Sequence, residues 1–176
     1  MSPGNGPVYI GVDPGLGTTG YGVLRFESGN TELVDAGTIK SSPDDPLPVR
    51  LDELYTGLIE VIDSYHPEAM GLEEVFSHYR HPATAIKMGH ARGVLCLAGQ
   101  RRNLRIVSLP ATTIKKFVTG TGRASKEQVA GMVRHLLRIT ETIRPDDVTD
   151  ALAAAIAAYE SERYDRKYKR NSSRHG

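Results

Sequence analysis

The feature that most constrains this chain is the stretch VYIGVDPGLGTTGYGVL, from Val8 to Leu24. The apolar run Val8–Val12 stops at Asp13, Pro14 and Gly15, as a buried strand does when it ends in a turn. Gly15, Gly17 and Gly20 then show the GxGxxG spacing of a dinucleotide fingerprint. In that fingerprint the glycines open a helix, whose amino-terminal N–H groups and dipole hold a pyrophosphate. Here they open TGYGVLRFE, Thr19–Glu27, which has strand composition and alternation, and Asp13 would repel a pyrophosphate laid on the loop. The loop therefore reads as a tight hairpin turn whose glycines adopt positive φ, leaving Asp13 open to a metal and a bulky ligand.

TELVDAGTIK, Thr31–Lys40, supplies a third strand, so an antiparallel meander begins the fold. Beyond the break SSPDDPLP, Leu51, Leu54, Tyr55, Leu58, Ile59 and Ile62 recur at helical spacing up to Pro67. AMGLEEVF, Ala69–Phe76, reads as a fourth strand, ATAIKMGHARGVLCLAG, Ala83–Gly99, as a long helix rich in small residues, and LRIVSLP as a fifth strand. TGTGR, Thr119–Arg123, reads as a flexible loop. SKEQVAGMVRHLLRI from Ser125 and PDDVTDALAAAIAAYE from Pro145 read as two further helices, the second with Pro145 at its first position. The order of elements predicts an α/β domain, a five-stranded mixed sheet with helices on both faces. The expected limits are a disordered N-terminus over 1–7, one domain over 8–161, and a frayed helix end leading into a basic, disordered tail over 162–176.

A chain of 176 residues with 39% hydrophobic content is long enough for one domain with a substantial core. Lys and Arg number 22 against 21 Asp and Glu, so any surface for nucleic acid must be local. The single Cys96, inside an apolar helical run, fits a reducing compartment and rules out an internal disulfide. No apolar run reaches membrane length, and MSPGNGP lacks the parts of a signal peptide, so no membrane partner and a cytoplasmic location are expected.

The acidic residues carry the chemical signal. Asp13 ends the first strand, Glu73 and Glu74 interrupt the fourth, and Asp146, Asp147 and Asp150 crowd the start of the last helix. Alternation allows only one of Glu73 and Glu74 to share a face with Asp13, whereas Asp147 and Asp150, three apart on a helix, project together. Singly, each has an ordinary explanation: an Asx turn, an ion-paired strand residue, a complement to the helix dipole. Together, closely packed carboxylates repel unless a hard cation such as Mg²⁺ or Mn²⁺ holds them. The six His are scattered and no Cys–His cluster has zinc spacing. Two cations about 4 Å apart hydrolyse phosphodiesters, one activating water and the other stabilising the leaving oxygen. The chemistry indicated is that of a nuclease.

GVDPGLGTTGYGV, LEEVF, GHARGV, IKKFVTGTGRASKEQV and DDVTDALAAAI together resemble the RuvC family of bacterial Holliday-junction resolvases, in order, over roughly Val8 to Tyr159. The resemblance implies a ribonuclease-H-like fold, a homodimer, and cleavage of opposed strands of a four-way DNA junction with two Mg²⁺ or Mn²⁺ ions, leaving 5′ phosphate and 3′ hydroxyl ends. Carried over by motif, the metal-binding and catalytic carboxylates fall on Asp13, Glu73, Asp147 and Asp150, with His in place of Asp147 in some relatives. The family's lysines fall on Lys115 and Lys126, Lys126 in a catalytic role. Phe76 matches an aromatic that stacks on an unpaired base, against the plain alternative of a core residue. Arg80, Lys116, Arg123 and the pair Arg101 and Arg102 are further candidate DNA contacts, the last two otherwise solvated helix-end charges. The helix Ala83–Gly99, with Ile86, Met88, Val94 and Leu97, is the candidate dimer interface that the resemblance implies, against the alternative of burial in the core of the single chain. RuvA and RuvB, the branch-migration proteins, are partners implied by resemblance alone.

Three rivals remain at this level. DPGLGTTGYG also resembles the first phosphate loop of actin-like and sugar-kinase ATPases, whose chains are longer, duplicated and carry a second glycine loop. A ribonuclease-H-like nuclease that trims ribosomal RNA precursors also places Asp at the first strand end, but lacks GHARGV and GTGRASKEQV. A non-enzymatic junction-binding module would need a broken carboxylate set.

Overall fold

The structure is a computed structural model, and it describes residues 5–74 and 82–172. Strands β1 (Val8–Asp13), β2 (Thr18–Glu27) and β3 (Asn30–Lys40) form the expected antiparallel meander. After helix α1 (Leu47–Tyr65), strand β4 (Ala69–Glu73) pairs parallel to β1 on its other side. Helix α2 (Pro82–Arg101) then leads to β5 (Arg105–Leu109), which extends the parallel part and closes the order β3-β2-β1-β4-β5. Helices α3 (Ala111–Thr119), α4 (Lys126–Leu137) and α5 (Asp146–Ser172) complete the chain.

Strand alternation divides the core in two. Ile10, Val12, Met70 and Leu72 point to the face covered by α1 and α2, where Leu54, Leu58, Ile62 and Leu95 meet them. Tyr9 and Ala69 point to the opposite face, under α3, α4 and α5. The same parity puts Asp13 and Glu73 on the α5 side, and Glu74 away from it.

Helix α5 lies directly on the sheet. An added Cβ at Gly11 would stand 1.8 Å from the Ala151 carbonyl oxygen, and one at Gly20 would stand 2.2 Å from that of Asp147. Glycine on the strands and alanine on the helix, buried at Ala151, Ala154, Ala155 and Ala158, let the two backbones nearly touch. This overturns the expectation for the fingerprint glycines: the described glycines with positive φ are Gly29 and Gly120, not Gly15, Gly17 or Gly20. Gly15 and Gly20 are there for space, Gly15 because its Cβ would meet the Thr18 carbonyl at 2.1 Å.

Four further expectations are corrected. ATTIKKFVT forms α3, which propensity conceals because the segment is short and rich in β-branched residues; Ile114 and Val118, four apart and buried, hold it to the core. The loop expected from Thr119 accordingly starts at Gly120, the left-handed cap of α3 with φ 83°. Helix α5 begins at Asp146, just after Pro145, and continues to Ser172 instead of ending near residue 161. Its extension carries strong helix formers and is tied to the sheet by Glu162, which accepts from the Tyr9 hydroxyl and pairs with Arg105 at 3.1 Å. Residues 5–7 run beside β2, where the Phe26 N–H donates to the Pro7 carbonyl at 3.0 Å. Among the described residues no helix is long and apolar enough to cross a membrane.

Candidate active site

The turn after β1 opens β2, paired antiparallel with β1 through Asp13 and Gly20, so the glycine loop is not the start of a helix that cradles phosphate. Asp13 and Glu73 stand at the C-terminal ends of the adjacent parallel strands β1 and β4, and α5 starts above them. Because the helix backbone presses on Gly20, its first turn brings Asp147 and Asp150 over the same point. Asp13, Glu73, Asp147 and Asp150 line one cleft of about 420 Å³, floored by Met88, Ile114 and Val129. Asp146 and Glu74 are absent from this lining; Asp146 faces a neighbouring hollow beside Arg134. Strand parity and helix phase select between adjacent acids in both cases.

Two lysines join the cleft. Lys126 is the first residue of α4, fixed by a capping box in which Ser125 Oγ accepts from the Gln128 N–H at 3.3 Å and Gln128 Oε1 accepts from the Ser125 N–H at 2.8 Å. Its ammonium donates to Asp150 Oδ2 at 3.0 Å while remaining largely exposed. Lys115 enters from α3, half-buried at the cleft wall. Lys116 and Arg123 are exposed outside the lining. Arg102 is held by Asp63 of α1 in a two-pronged ion pair of 2.6 and 2.8 Å, so it is a helix tether and not a spare cation. Phe76 and Arg80 lie outside the described residues.

The electrostatics follow from burial first and from this crowding second. Burial raises the Asp13 carboxyl to about 7, with Asp150, Asp147 and Glu73 pushing the same way and Lys126 opposing. Glu73 is also raised, first by burial and then by Asp150, against Lys126 and Lys115. Lys126 holds its proton more tightly than usual, chiefly through the bond to Asp150. Among the described residues no three carboxylate, His or Cys side chains are gathered into a finished metal cage. The four acids form an open set instead, with one cation of the chain already on Asp150. A donor set made only of carboxylate oxygens, short of positive charge, fits a hard divalent ion. A larger open depression, about 1070 Å³, lies toward Tyr159 and carries the Glu160–Arg163 ion pair in place of converging acids.

One contact went unassigned in the sequence, although its arginine stands in the GHARGV block. Arg92 of α2 donates from Nε to the Glu73 carbonyl at 3.0 Å and from Nη2 to Ser108 Oγ at 2.8 Å.

The family model described as crossover junction endodeoxyribonuclease RuvC matches residues 9–158. The chain belongs to the RuvC family. The RuvC of Rhodopirellula baltica is 43% identical over 157 residues, spanning 89% of this chain and 88% of that one. The solved structure of T. thermophilus RuvC in complex with Holliday junction substrate matches with a TM-score of 0.81 at 33% identity, covering 86% of this chain and 92% of that one. The yeast mitochondrial Holliday junction resolvase, at 14% identity and TM-score 0.64 over 96% of this chain and 86% of its own, shares the fold. The five-stranded mixed sheet is thus a ribonuclease-H-like fold, and RuvC enzymes are divalent-metal-dependent nucleases.

Proposed function

We propose that this RuvC family member resolves four-way DNA junctions by paired, symmetric hydrolysis on opposed strands, with Asp13, Glu73, Asp147 and Asp150 holding two Mg²⁺ or Mn²⁺ ions. The observation that carries the reading is the meeting of these four acids, drawn from β1, β4 and α5, in one cleft of a RuvC family chain. Ions bound there supply the charge that activates water and stabilises the leaving oxygen. The chain's own residues do the rest. The carboxylates orient toward the cleft from two strand ends and a helix start. Lys126, exposed at its tip and tied to Asp150, sits where it can meet the negative charge that builds on the phosphate. Lys115, which lines the same cleft from α3, adds charge, and Lys116 and Arg123 bind phosphates along the duplex arms. Hydrolysis leaves 5′ phosphate and 3′ hydroxyl ends.

Two symmetric cuts require two sites related by a two-fold axis, which a homodimer supplies. The exposed face of α2 suits it: Ile86 is 60% and Leu97 53% exposed, and Gly89 and Gly93 between them have open space where a Cβ would be. Met88 turns instead to the cleft, and Val94 is half-buried. RuvA and RuvB are the proposed partners and the cytoplasm the proposed location. The test is incubation with a mobile four-way junction and with a linear duplex of the same sequence, in Mg²⁺, Mn²⁺ or chelator. Paired nicks on the junction alone, abolished by chelator, are expected; equal cutting of the linear duplex, or cutting in chelator, refutes the reading.

A further inference from the structure

We propose that Arg92 is a positioning residue that fixes the Glu73 peptide for metal binding and ties it to helix α2, an inference that rests on the assignment of Glu73 as a metal ligand. Glu73 is the last residue of β4, and the strands on both sides stop at the same level. β1 ends at Asp13 and is followed by Pro14, which has no N–H to offer the Glu73 carbonyl, while on the β5 side the N–H of the same peptide, that of Glu74, donates to the Leu109 carbonyl at 3.0 Å. The Glu73 carbonyl takes its hydrogen bond from Arg92 Nε at 3.0 Å. The guanidinium thus supplies the one donor that the β1 side of the ladder lacks, and the Glu73 peptide is held on both edges at the point where the carboxylate has to be placed.

The second prong of the fork, Nη2 to Ser108 Oγ at 2.8 Å, anchors the same group to β5. Only a planar fork makes both bonds at once; a lysine ammonium on a flexible stem does not reproduce this geometry. Arg92 follows Ala91, which is fully buried against the sheet, so its helix cannot shift without moving the fork. It also adjoins Gly93, on the exposed α2 face proposed to meet a second copy. The arrangement links that face to a metal ligand through one side chain and one hydrogen bond.

The test compares Arg92→Gln, Arg92→Lys, Ser108→Ala and Glu73→Gln in the full-length protein, with three readouts: Mn²⁺ binding by calorimetry without DNA, junction binding in chelator, and single-turnover cleavage against Mg²⁺ concentration. Loss of an outer-shell partner typically weakens metal binding or activity by about 10- to 100-fold. Arg92→Gln is expected to weaken Mn²⁺ binding by about that factor and to raise the Mg²⁺ needed for half-maximal cleavage in step. Junction affinity is expected to stay within about twofold, because no phosphate contact is removed. Arg92→Lys should recover little, and Ser108→Ala should shift both metal readouts several-fold in the same direction. Unchanged Mn²⁺ binding in Arg92→Gln, or in Ser108→Ala should the arginine variant fail to fold, overturns the proposal. So does a loss of junction affinity as large as the loss of metal affinity, which would make Arg92 a DNA contact. If Glu73→Gln cleaves and binds Mn²⁺ like the parent, the assignment of Glu73 falls first; if it is inactive while Arg92→Gln is unchanged, only the role of Arg92 falls.

Discussion

Replacing Asp13 by Asn is expected to stabilise the protein in the absence of divalent ions while abolishing cleavage. Asp13 lies at a strand end under α5, and its carboxyl is raised from 3.8 to about 7 by burial and by Asp150, Asp147 and Glu73. A carboxyl whose pKa rises on folding binds its proton more tightly in the native state. Its contribution is therefore fully present below about pH 4 and is lost as pH climbs through the folded value near 7. At about 1.4 kcal/mol per unit, a shift of this size sets a ceiling of roughly 4 kcal/mol at neutral pH. Residual solvent contact brings the expected cost to about 2–3 kcal/mol. Asparagine keeps the shape and removes the charge. For a chain of this length each kcal/mol moves Tm by about 2–4 °C, so the variant should melt roughly 4–12 °C above the parent in chelator at about pH 7.5. At about pH 5 the advantage should shrink by more than half, because the native carboxyl is then largely protonated. Mg²⁺ should raise the parent's Tm and do little for the variant. Thermal melts followed by circular dichroism, with and without chelator at both pH values, give all of these quantities. A variant no more stable than the parent in chelator, or an advantage equal at both pH values, would refute the crowding argument.

The close seat of α5 makes glycine substitutions divergent. Gly11→Ala should cost about 3 kcal/mol or more and disturb the cleft, since its Cβ collides with helix backbone, whereas Gly131→Ala, open on α4, should stabilise by about 0.5–1 kcal/mol in chemical denaturation. Lys126→Gln should lower stability modestly in chelator, since the exposed ion pair itself is worth little but the acids lose an opposing charge, and should slow single-turnover cleavage at least about tenfold; cleavage at the parental rate would remove Lys126 from the chemistry. Leu97→Glu should shift sedimentation toward monomer and leave the circular dichroism spectrum intact, as expected for a side chain 53% exposed in the single chain. Junction affinity should fall linearly on a log–log plot against salt, and Lys116→Ala should reduce the slope by about 1; an unchanged slope would place that lysine off the DNA path.

Much of this was legible from local pattern. The succession of strands and helices along the chain, α3 apart, followed from apolar runs, breakers and helical spacing, and the acids announced themselves because they interrupt apolar strands or crowd one helix start. The short helix α3 was hidden because nine residues of mixed propensity become helical through the tertiary burial of Ile114 and Val118. The glycines misled for a related reason. Spacing such as that of Gly15, Gly17 and Gly20 signals special backbone in a linear reading, while their use here at Gly20 is clearance for the Asp147 carbonyl, a neighbour more than a hundred residues away.

Sequence alone determined which residues carry charge, which segments bury themselves, and, through ordered motifs, the family to which the chain belongs. Motif had picked Glu73 and Asp147 by resemblance; only the tertiary structure supplied the geometry by which they, and not Glu74 or Asp146, line the cleft, and showed that Arg92 holds the Glu73 peptide. The reason is physical: charge and hydrophobicity are properties of single residues and local spacing. Facing, clearance and hydrogen-bond partnership exist only once strand parity, helix phase and a near contact between backbones have fixed distant segments against one another.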